Sequence, residues 1–263
     1  MTCRVTILGS GAATGVPSVS GGWGKCNPDN PKNRRRRAGI FLEIDNTKIL
    51  VDTSADLREQ LLDNNIQALD GVIYTHTHAD HLHGIDDLRG INRVMHQSLT
   101  LYAIQEHIDE IRERVPYLLA DLAPREITNR PLLYTKVIDW GCEFKIGSVR
   151  IMPLEACGHS VRTTVYSFND GEVVIIPDYK YLPDNTLEYL KQLHIRLLIM
   201  PLTVPEELGY HAGLKTDLRY ADILHAEHTV LTHMASECDY DAVNRQTPDN
   251  IEPAFDNMHI DVL

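Results

Sequence analysis

The chain has 263 residues, 43% of them hydrophobic, and its formal net charge at pH 7 is −12. This length allows a sizeable core, so we predict a single domain over residues 1–263. The negative charge argues against non-specific attraction to nucleic acid or to an anionic membrane, because both depend largely on Lys and Arg. No stretch approaches the ~20 apolar residues of a membrane span. The first residues do not resemble a secretory signal, so a soluble cytoplasmic protein is expected.

The five cysteines bear on how the fold is held together. They are odd in number and widely scattered, at Cys3, Cys26, Cys142, Cys157 and Cys238. A disulfide framework is typical of short secreted chains with paired cysteines. The sequence therefore argues against disulfides.

Strands and helices alternate along the chain without repeats or a flexible linker. In chain order, hydrophobic patterning predicts strands at 4–8, 39–44, 48–51 and 71–74 and helices at 55–64 and 104–115. An irregular insertion follows at about 116–135, because residues 116–133 contain three prolines and few periodic apolar residues. Strands are then predicted at 136–138, 143–146, 149–154, 164–168, 172–176, 197–200 and 229–231, with helices at 185–194 and 214–228. Two β-rich halves flanked by helices suggest two sheets packed face to face with helices outside.

Metal-ligand side chains are dense in Tyr74-Thr-His-Thr-His-Ala-Asp-His81, just after a short apolar run. Alternate residues of an extended stretch share a face, so His76 and His78 point together. Asp80 and His81 fall on the following turn and face a second position. Imidazole and carboxylate suit zinc, manganese or iron, and no nearby thiolate completes a closed structural cage. The segment therefore predicts a hydrolytic site with two metal ions.

Three more polar residues, His159, Asp178 and His233, each close an apolar, strand-like run. Taken singly, each is more often a capped or hydrogen-bonded turn residue. A two-metal site, however, needs a bridging carboxylate and a third protein ligand for each ion. Strand ends on one rim of a sandwich can supply both.

With these residues in place, the chain resembles the metallo-β-lactamase superfamily, whose pattern is His-x-His-x-Asp-His and then a later His, Asp and His. The resemblance covers nearly the whole chain and implies an α+β fold, a four-layer αββα sandwich with the metal site at one rim of the two sheets. It also implies the division of ligands: His76, His78 and His159 on one metal, Asp80, His81 and His233 on the other, and Asp178 bridging both. Asp80 is assigned a catalytic role as well.

Asp52, in Ile49-Leu-Val-Asp-Thr53, matches the superfamily's early strand-end aspartate. The resemblance implies that its carboxylate orients a metal ligand without touching the metal. The alternative is a plain turn-capping role.

Two features narrow the resemblance to the phosphodiesterase branch, which includes the tRNA 3′-processing endonucleases (tRNase Z) and the PhnP-like phosphoribosyl cyclic phosphate phosphodiesterases. The segment Leu8-Gly-Ser-Gly-Ala-Ala-Thr-Gly-Val-Pro17 resembles the glycine-rich first loop of that branch. His211, ahead of a predicted helix and before His233, matches the histidine that these enzymes use as a proton donor. The alternative for His211 is an exposed loop histidine.

The chain departs from the cyclic phosphodiesterase pattern near Cys26. That pattern has several cysteines after the Gly-Val-Pro element and a late histidine, which together bind a separate structural zinc. Here the segment keeps one cysteine, and Ser236 stands at the late position. We therefore predict no structural zinc, with Trp23 and the segment up to Arg37 replacing it by packing.

The predicted reaction follows from the ligand set. Two divalent ions, zinc or manganese, lower the pKa of a bridging water enough to leave hydroxide at neutral pH. Attack of this hydroxide on phosphorus hydrolyses a phosphodiester to a monoester, and His211 protonates the leaving alkoxide. A small cyclic ribose or nucleotide phosphate fits better than tRNA, because the chain has neither a long basic arm nor a positive charge.

Other functions remain open from the sequence. A thioesterase or lactonase of the same fold would use the same metals on a carbonyl, and a tRNA 3′-processing endonuclease would use them on RNA. A metal-stabilised binding protein without turnover is disfavoured, because the ligand set with its bridging aspartate describes an open catalytic site. A homodimer is expected by analogy with related phosphodiesterases.

The basic run Arg34–Arg37 has two interpretations. It is either a solvated turn or a segment in which Arg34 and Arg37 point toward an anionic substrate. The second interpretation rests on the match between a guanidinium fork and phosphate geometry.

Overall fold

A computed structural model of the chain describes residues 2–122 and 132–262. Its first sheet contains β1 (Cys3–Gly9), β2 (Gly39–Ile44), β3 (Thr47–Val51), β4 (Gly71–Ile73), β5 (Thr100–Ala103), β6 (Tyr134–Val137) and β14 (Met258–Val262). These strands lie in the order β14-β1-β2-β3-β4-β5-β6. The pairs from β14 to β3 are antiparallel, whereas β3, β4, β5 and β6 run parallel.

The second sheet is formed by the later part of the chain. It contains β7 (Phe144–Ile146), β8 (Val149–Ala156), β9 (Thr163–Phe168), β10 (Val173–Ile175), β11 (Leu197–Pro201), β12 (His228–Thr232) and β13 (Ile251–Pro253). Strand order follows β13-β12-β11-β10-β9-β8-β7. The pairs from β7 to β10 are antiparallel, and β10 to β13 run parallel. Each sheet thus has a parallel section whose strands all end at the same edge.

Helices cover the outer faces of both sheets. They are α1 (Leu57–Asp63), α2 (Ala79–Leu82), α3 (Leu88–Met95), α4 (Gln105–Arg114), α5 (Asp184–Leu190), α6 (Leu214–Leu224) and α7 (Tyr240–Asn244). The alternation of side chains along β2 shows the layering: Leu42 packs in the core between the sheets, while Phe41 packs in the core under α1, α3 and α4. The predicted four-layer αββα sandwich is confirmed.

The sequence located most strands but misjudged several elements. Strand β2 has the predicted bounds, whereas the helices predicted at 185–194 and 214–228 end earlier, at Leu190 and Leu224. His225 adopts a left-handed conformation directly after α6 and so stops that helix. Helices α2, α3 and α7 and strands β5, β13 and β14 were not predicted. Of the insertion predicted at about 116–135, residues 123–131 lie outside the described part of the chain, and β6 already begins at Tyr134.

All five cysteines are free, as predicted. No helix in residues 2–122 and 132–262 has the length and the apolar composition needed to cross a membrane.

A buried carboxyl group on α6 makes stability depend on pH. Asp217 is fully buried and accepts a 2.7 Å hydrogen bond from the Tyr179 hydroxyl. Burial raises the pKa of Asp217 to about 7, against the lowering effect of this bond. An unfolded aspartate titrates near pH 4. The folded state therefore binds more protons between pH 4 and 7, and the stability linked to this group is lost as pH rises through that window.

We expect Asp217→Asn to raise the free energy of unfolding, relative to the unsubstituted protein, by about 2–3 kcal/mol more at pH 8 than at pH 5. Asparagine can still accept the bond from Tyr179 but cannot ionise. Urea unfolding at the two pH values measures the difference. Asp184→Asn, at an exposed position of α5, is the control, and an equal effect of Asp217→Asn at both pH values would contradict the assignment.

Candidate metal centre

The predicted ligand side chains meet at the edge of the sandwich where the parallel strands end. His76 and His78 lie in the loop after β4, and Asp80 and His81 lie on α2. The loops after β8, β10 and β12 bring His159, Asp178 and His233. The structure therefore brings together every residue that the sequence analysis assigned to a metal.

One group of ligands consists of three imidazoles. His76 Nε2 lies 3.1 Å from His78 Nδ1, and His159 Nε2 lies 3.0 Å from the same atom. The ligand atoms of these residues all lie within 4.8 Å of one another. Three nitrogen donors therefore converge on a volume that a single ion would fill.

The second group combines a carboxylate with two imidazoles. Asp80 Oδ2 lies 3.3 Å from His81 Nε2 and 3.3 Å from His233 Nε2. All three side chains are buried. This group matches the predicted second metal position.

Asp178 lies between the two groups. Its Oδ2 is 3.9 Å from His76 Nε2, 3.9 Å from His159 Nε2 and 3.7 Å from His81 Nε2. Its Oδ1 is 3.2 Å from His233 Nδ1. One carboxylate thus faces ligands of both groups, as a bridging ligand must.

The residues fit divalent metal ions on the chemistry of their atoms. His81 Nε2 and Asp178 Oδ1 are buried and have no hydrogen-bond partner within the described residues. Buried polar atoms without a partner are rare and need an explanation such as an ion. Imidazole nitrogen and carboxylate oxygen are donors that zinc, manganese and iron accept.

The protonation states also suit metal binding. Burial lowers the pKa of His76 well below its ordinary value and lowers that of His159 to about 4, so both imidazoles are neutral at pH 7. Burial alone would raise the pKa values of Asp80 and Asp178, but His233 and His81 hold both well below the usual range. Two ionised carboxylates and the neutral imidazoles of His76 and His159 therefore face the candidate metal positions.

His81 is the exception among the imidazoles. Burial would lower its pKa, but Asp52, Asp178 and Asp80 raise it well above the ordinary value. The three carboxylates make the surroundings of His81 strongly negative, which favours a cation there. A bound metal ion would supply that positive charge.

Asp52 is hydrogen-bonded to His81, one of the residues that the sequence analysis assigned to a metal. Its Oδ2 accepts 2.7 Å hydrogen bonds from His81 Nδ1 and from the Thr75 hydroxyl, and its Oδ1 accepts one from Thr75 N. The bond to Nδ1 leaves His81 Nε2 turned toward the metal position. Asp52 has a φ of 64°, a left-handed conformation that is uncommon outside glycine and is often found at functional sites.

We expect Asp52→Asn to weaken metal binding by about 10- to 100-fold, because the hydrogen bond that orients His81 is disturbed. Competition with a fluorescent chelator measures the change. Asp45→Asn is the matched control, since Asp45 also has a left-handed backbone but lies in the β2–β3 turn. Unchanged metal affinity in Asp52→Asn would leave Asp52 with a turn-capping role only.

His211 lies beside the metal ligands. Its ring centroid is 5.1 Å from that of His159 and 6.4 Å from that of His233. The backbone is held in a turn by a 3.0 Å bond from His211 N to Leu208 O, and Lys180 Nζ donates to His211 O. Burial lowers the pKa of His211. The residue is therefore a half-buried neighbour of the metal site rather than an exposed loop histidine.

The four arginines of the basic run separate in the structure. Arg34 is exposed and does not line the cleft beside the metal site, whereas Arg37 does. Arg36 pairs with Asp63 at 2.7 Å. Arg35 is buried, which the sequence analysis did not predict. The structure thus brings only Arg37 of the two predicted substrate-binding arginines to the site.

Arg35 lies between the segments around Cys26 and Ser236, the two positions that the sequence analysis compared with a structural-zinc pattern. Its Nη1 lies 3.7 Å from Cys26 Sγ and donates to Ala235 O at 3.4 Å, while Nη2 donates to Asn33 Oδ1. Cys26 Sγ donates to Ser236 O at 3.4 Å. A buried guanidinium therefore joins the two segments, and Trp23 is only half-buried.

Sequence reasoning missed several hydroxyl groups that touch the ligands. Thr203 Oγ1 lies 3.1 Å from His233 Nδ1, Ser160 Oγ lies 3.1 Å from His78 Nε2, and Thr75 joins Asp52 as described. Thr203 follows the end of β11 by two residues, so the strand-end pattern that located Asp178 was available for it. Ser160 directly follows a predicted ligand.

Comparison with known proteins places the chain in a family. Residues 47–234 match the model of the β-lactamase superfamily domain, and the chain belongs to that family. The matched range includes every residue assigned to a metal.

Solved structures share this fold. A new diphosphatase from the PhnP family is 25% identical with a TM-score of 0.85, covering 99% of this chain and 97% of that one. Zn(2+)-bound PqqB from Methylobacterium extorquens is 18% identical with a TM-score of 0.76, covering 98% and 99%. The short form of human tRNase Z is 18% identical with a TM-score of 0.69, covering 99% of both chains. The predicted family is confirmed, and these neighbours include both predicted kinds of phosphodiesterase relative.

One curated relative is named for a different activity, the transfer of an acyl group. It is an octanoyltransferase of Porphyromonas gingivalis, 30% identical over 233 residues, which cover 88% of this chain and 46% of that protein. The chain therefore spans about half the length of this relative.

Proposed function

We propose that the chain is a metal-dependent hydrolase that cleaves a small phosphodiester to a monoester. The observation that supports this most is Asp178, whose carboxylate faces both the three-histidine group and the group of Asp80, His81 and His233. A bridging carboxylate between two open ligand sets is typical of hydrolytic two-metal centres. The similarity to a PhnP-family diphosphatase supports chemistry on phosphorus.

The residues of the chain would bind and orient the metal ions and supply negative charge beside them. Two divalent ions, zinc or manganese, would activate water as the nucleophile and stabilise negative charge on the phosphate oxygens. The predicted ligands hold these ions, and Asp52 fixes the orientation of His81 through its 2.7 Å bond. Asp80 contributes negative charge at the second position.

His211 is proposed to protonate the leaving oxygen. Its ring lies beside His159, and its backbone is fixed by Leu208 and Lys180, so it can reach a group bound at the metal site. An alkoxide is a poor leaving group and needs a proton during bond cleavage.

A small substrate is favoured over folded RNA. The cleft that includes Asp80 has a volume of about 420 Å³, within the range typical of small-molecule sites. The net charge of −12 disfavours a tRNA partner. A cyclic ribose or nucleotide phosphodiester agrees with both observations.

Hydrolysis of bis-p-nitrophenyl phosphate tests the proposal. Purified protein loaded with two equivalents of manganese or zinc should release p-nitrophenolate, and a chelator should abolish the reaction. If the loaded protein cleaves thioesters or lactones but no phosphodiester, the proposed reaction is wrong. Loss of folding on chelation, without activity toward any ester, would instead favour a binding protein.

A second candidate is a thioesterase of the same fold, and the octanoyltransferase relative favours it. That protein's name implies an acyl group, although this chain spans only about half of its length. Octanoyl thioesters assayed beside the diesters decide between the two. A thiolate leaves readily, so His211→Ala should hardly affect a thioesterase.

A further inference from the structure

A cleft opens beside Asp80, and apart from Asp80 its lining residues have no role in the chemical step proposed above. It has a volume of about 420 Å³ and is lined by Ala13, Thr14, Val19, Ser20, Arg37, Ala55, Ala79, Asp80 and His83. Asp80 belongs to the metal site, so the cleft is continuous with the place where a phosphodiester would react. A substituent of a phosphodiester bound there would extend along this lining.

The lining is largely apolar. Ala13, Ala55 and Ala79 present methyl groups, and Val19 is fully exposed at the tip of a small turn. The turn is held by paired backbone bonds between Ser18 and Gly22, of 2.8 and 2.9 Å. A rigid turn that holds an isolated valine in solvent suggests a partner for that side chain, since burying it removes apolar surface from water.

Arg37 is the only lysine or arginine among these lining residues. Its nearest carboxylate contact is a 3.7 Å approach of Nη1 to Asp56 Oδ1, longer than a strong charge-assisted bond. Its backbone is held firmly, because Arg37 N donates to Asp56 Oδ2 and the Gln60 amide donates to Arg37 O. The backbone that carries the guanidinium is thus fixed, while much of the hydrogen-bonding capacity of the guanidinium is available.

The glycine-rich first loop forms the facing wall. A Cβ at Gly9 would lie 2.1 Å from Arg37 O, and one at Gly11 would lie 2.8 Å from Arg36 O. Only glycine permits this approach. The loop that carries Ala13 and Val19 is therefore seated directly against the arginine segment.

We propose that this cleft is a specificity site for the ester group that stays on phosphorus, and that this group is an alkyl chain ending in an anion. The alanines and Val19 contact the alkyl part, and Arg37 pairs with the anionic end. This inference rests on the proposed phosphodiesterase function and narrows its substrate class.

Kinetics on alkyl p-nitrophenyl phosphates test it, with methyl, butyl, octyl and 7-carboxyheptyl esters sharing one leaving group. From methyl to butyl we expect KM to fall by about two- to fourfold per added methylene. At low salt, KM for the 7-carboxyheptyl ester should be about tenfold lower than KM for the octyl ester. At high salt, this difference in KM should be smaller. Calorimetry with octylphosphonate and methylphosphonate on the metal-loaded protein should show the same preference as a difference in Kd.

Substitutions locate the effect. Ala13→Phe fills the cleft at an exposed position, so it should remove the chain-length dependence of KM and raise KM far more for the octyl ester than for the methyl ester. Val19→Ser should raise KM for the octyl ester several-fold, whereas Val94→Ser, at an exposed valine on α3, should leave that KM unchanged. Arg37→Gln should reduce the advantage in KM of the carboxylate ester over the octyl ester, whereas Arg58→Gln, at an exposed arginine on α1, should keep it.

The outcomes separate this inference from the proposed function. If no diester is hydrolysed, the proposed function itself fails. If diesters are hydrolysed with equal KM for all chain lengths, or if Ala13→Phe slows methyl and octyl esters alike, the cleft does not select an alkyl group. Preference for a nucleoside ester that Ala13→Phe leaves unchanged would also overturn the inference.

Discussion

Asp178→Asn is expected to lower kcat/KM for bis-p-nitrophenyl phosphate by about a thousandfold. Asp178 is the only side chain of the ligand set whose two oxygens approach histidines of both groups, at 3.2 to 3.9 Å. An amide has one oxygen and no charge, so at least one ion should bind weakly. Loss of one metal removes several kcal/mol of transition-state stabilisation, and about 1.4 kcal/mol corresponds to each factor of ten.

Metal content and activity must be measured together. Mass spectrometry of the dialysed variant should show about one ion fewer than the unsubstituted protein, while circular dichroism reports an intact fold. Asp70→Asn is the control, because Asp70 accepts a bond from Lys48 N at the opposite end of β4. An Asp178→Asn variant with full metal content and full activity would remove Asp178 from the bridging role.

The candidate metal ligands could be located from the sequence because each follows an apolar run. Asp52 and the His76 loop follow β3 and β4, and Asp178 and His233 follow β10 and β12. These strands lie in parallel sections of the two sheets, so their carboxyl ends converge on one edge. Hydrophobic patterning and chemical type therefore carried the information together.

The hydroxyl groups that contact the ligands could not be predicted from the sequence in the same way. Thr75 and Thr203 contact Asp52 and His233 through distances that depend on the packing of neighbouring loops. Threonine is common at strand ends for reasons unrelated to metals. Such partners are visible only after the tertiary structure has placed the ligand.

The backbone conformation of residues 34–37 determines which of the four arginines share a face. Arg35 bridges to Val16 and Arg37 bridges to Gly11, so the segment is extended and alternate residues share a face. Arg35 and Arg37 therefore face one way and Arg34 the other. The prediction that both Arg34 and Arg37 point toward the substrate did not take this alternation of faces into account.

Strand β14 was missed although its sequence, Met258-His-Ile-Asp-Val262, alternates apolar and polar residues. Its burial alternates in the same way, and it pairs with β1, far away in sequence. Helix α3 carries Gly90 and several polar residues, which weaken its helical signal. Both elements are stabilised by packing against distant parts of the chain.

His211→Ala is expected to slow diesters with alkyl leaving groups by about 10²- to 10⁴-fold, the usual contribution of a general acid. Diesters of p-nitrophenol should lose less than about tenfold, because p-nitrophenolate leaves without a proton. Burial lowers the pKa of His211. The protonated form of His211 should therefore dominate only at pH values below the ordinary pKa of histidine. The rate on alkyl substrates should fall as pH rises and the imidazole loses its proton.

The pair of leaving groups separates a proton donor from a structural residue. A residue that only shaped the site would slow both substrates equally, and so would one that only helped to hold a metal. Metal content must also be measured in His211→Ala, because a ligand atom of His211 lies within 4.8 Å of ligand atoms of His159 and Asp178; a proton donor leaves the metal content unchanged, whereas a metal ligand lowers it. His194→Ala is the control, because His194 is exposed and pairs with Glu227 far from the ligand set. If His211→Ala loses the same factor on alkyl and p-nitrophenyl esters, another group protonates the leaving oxygen.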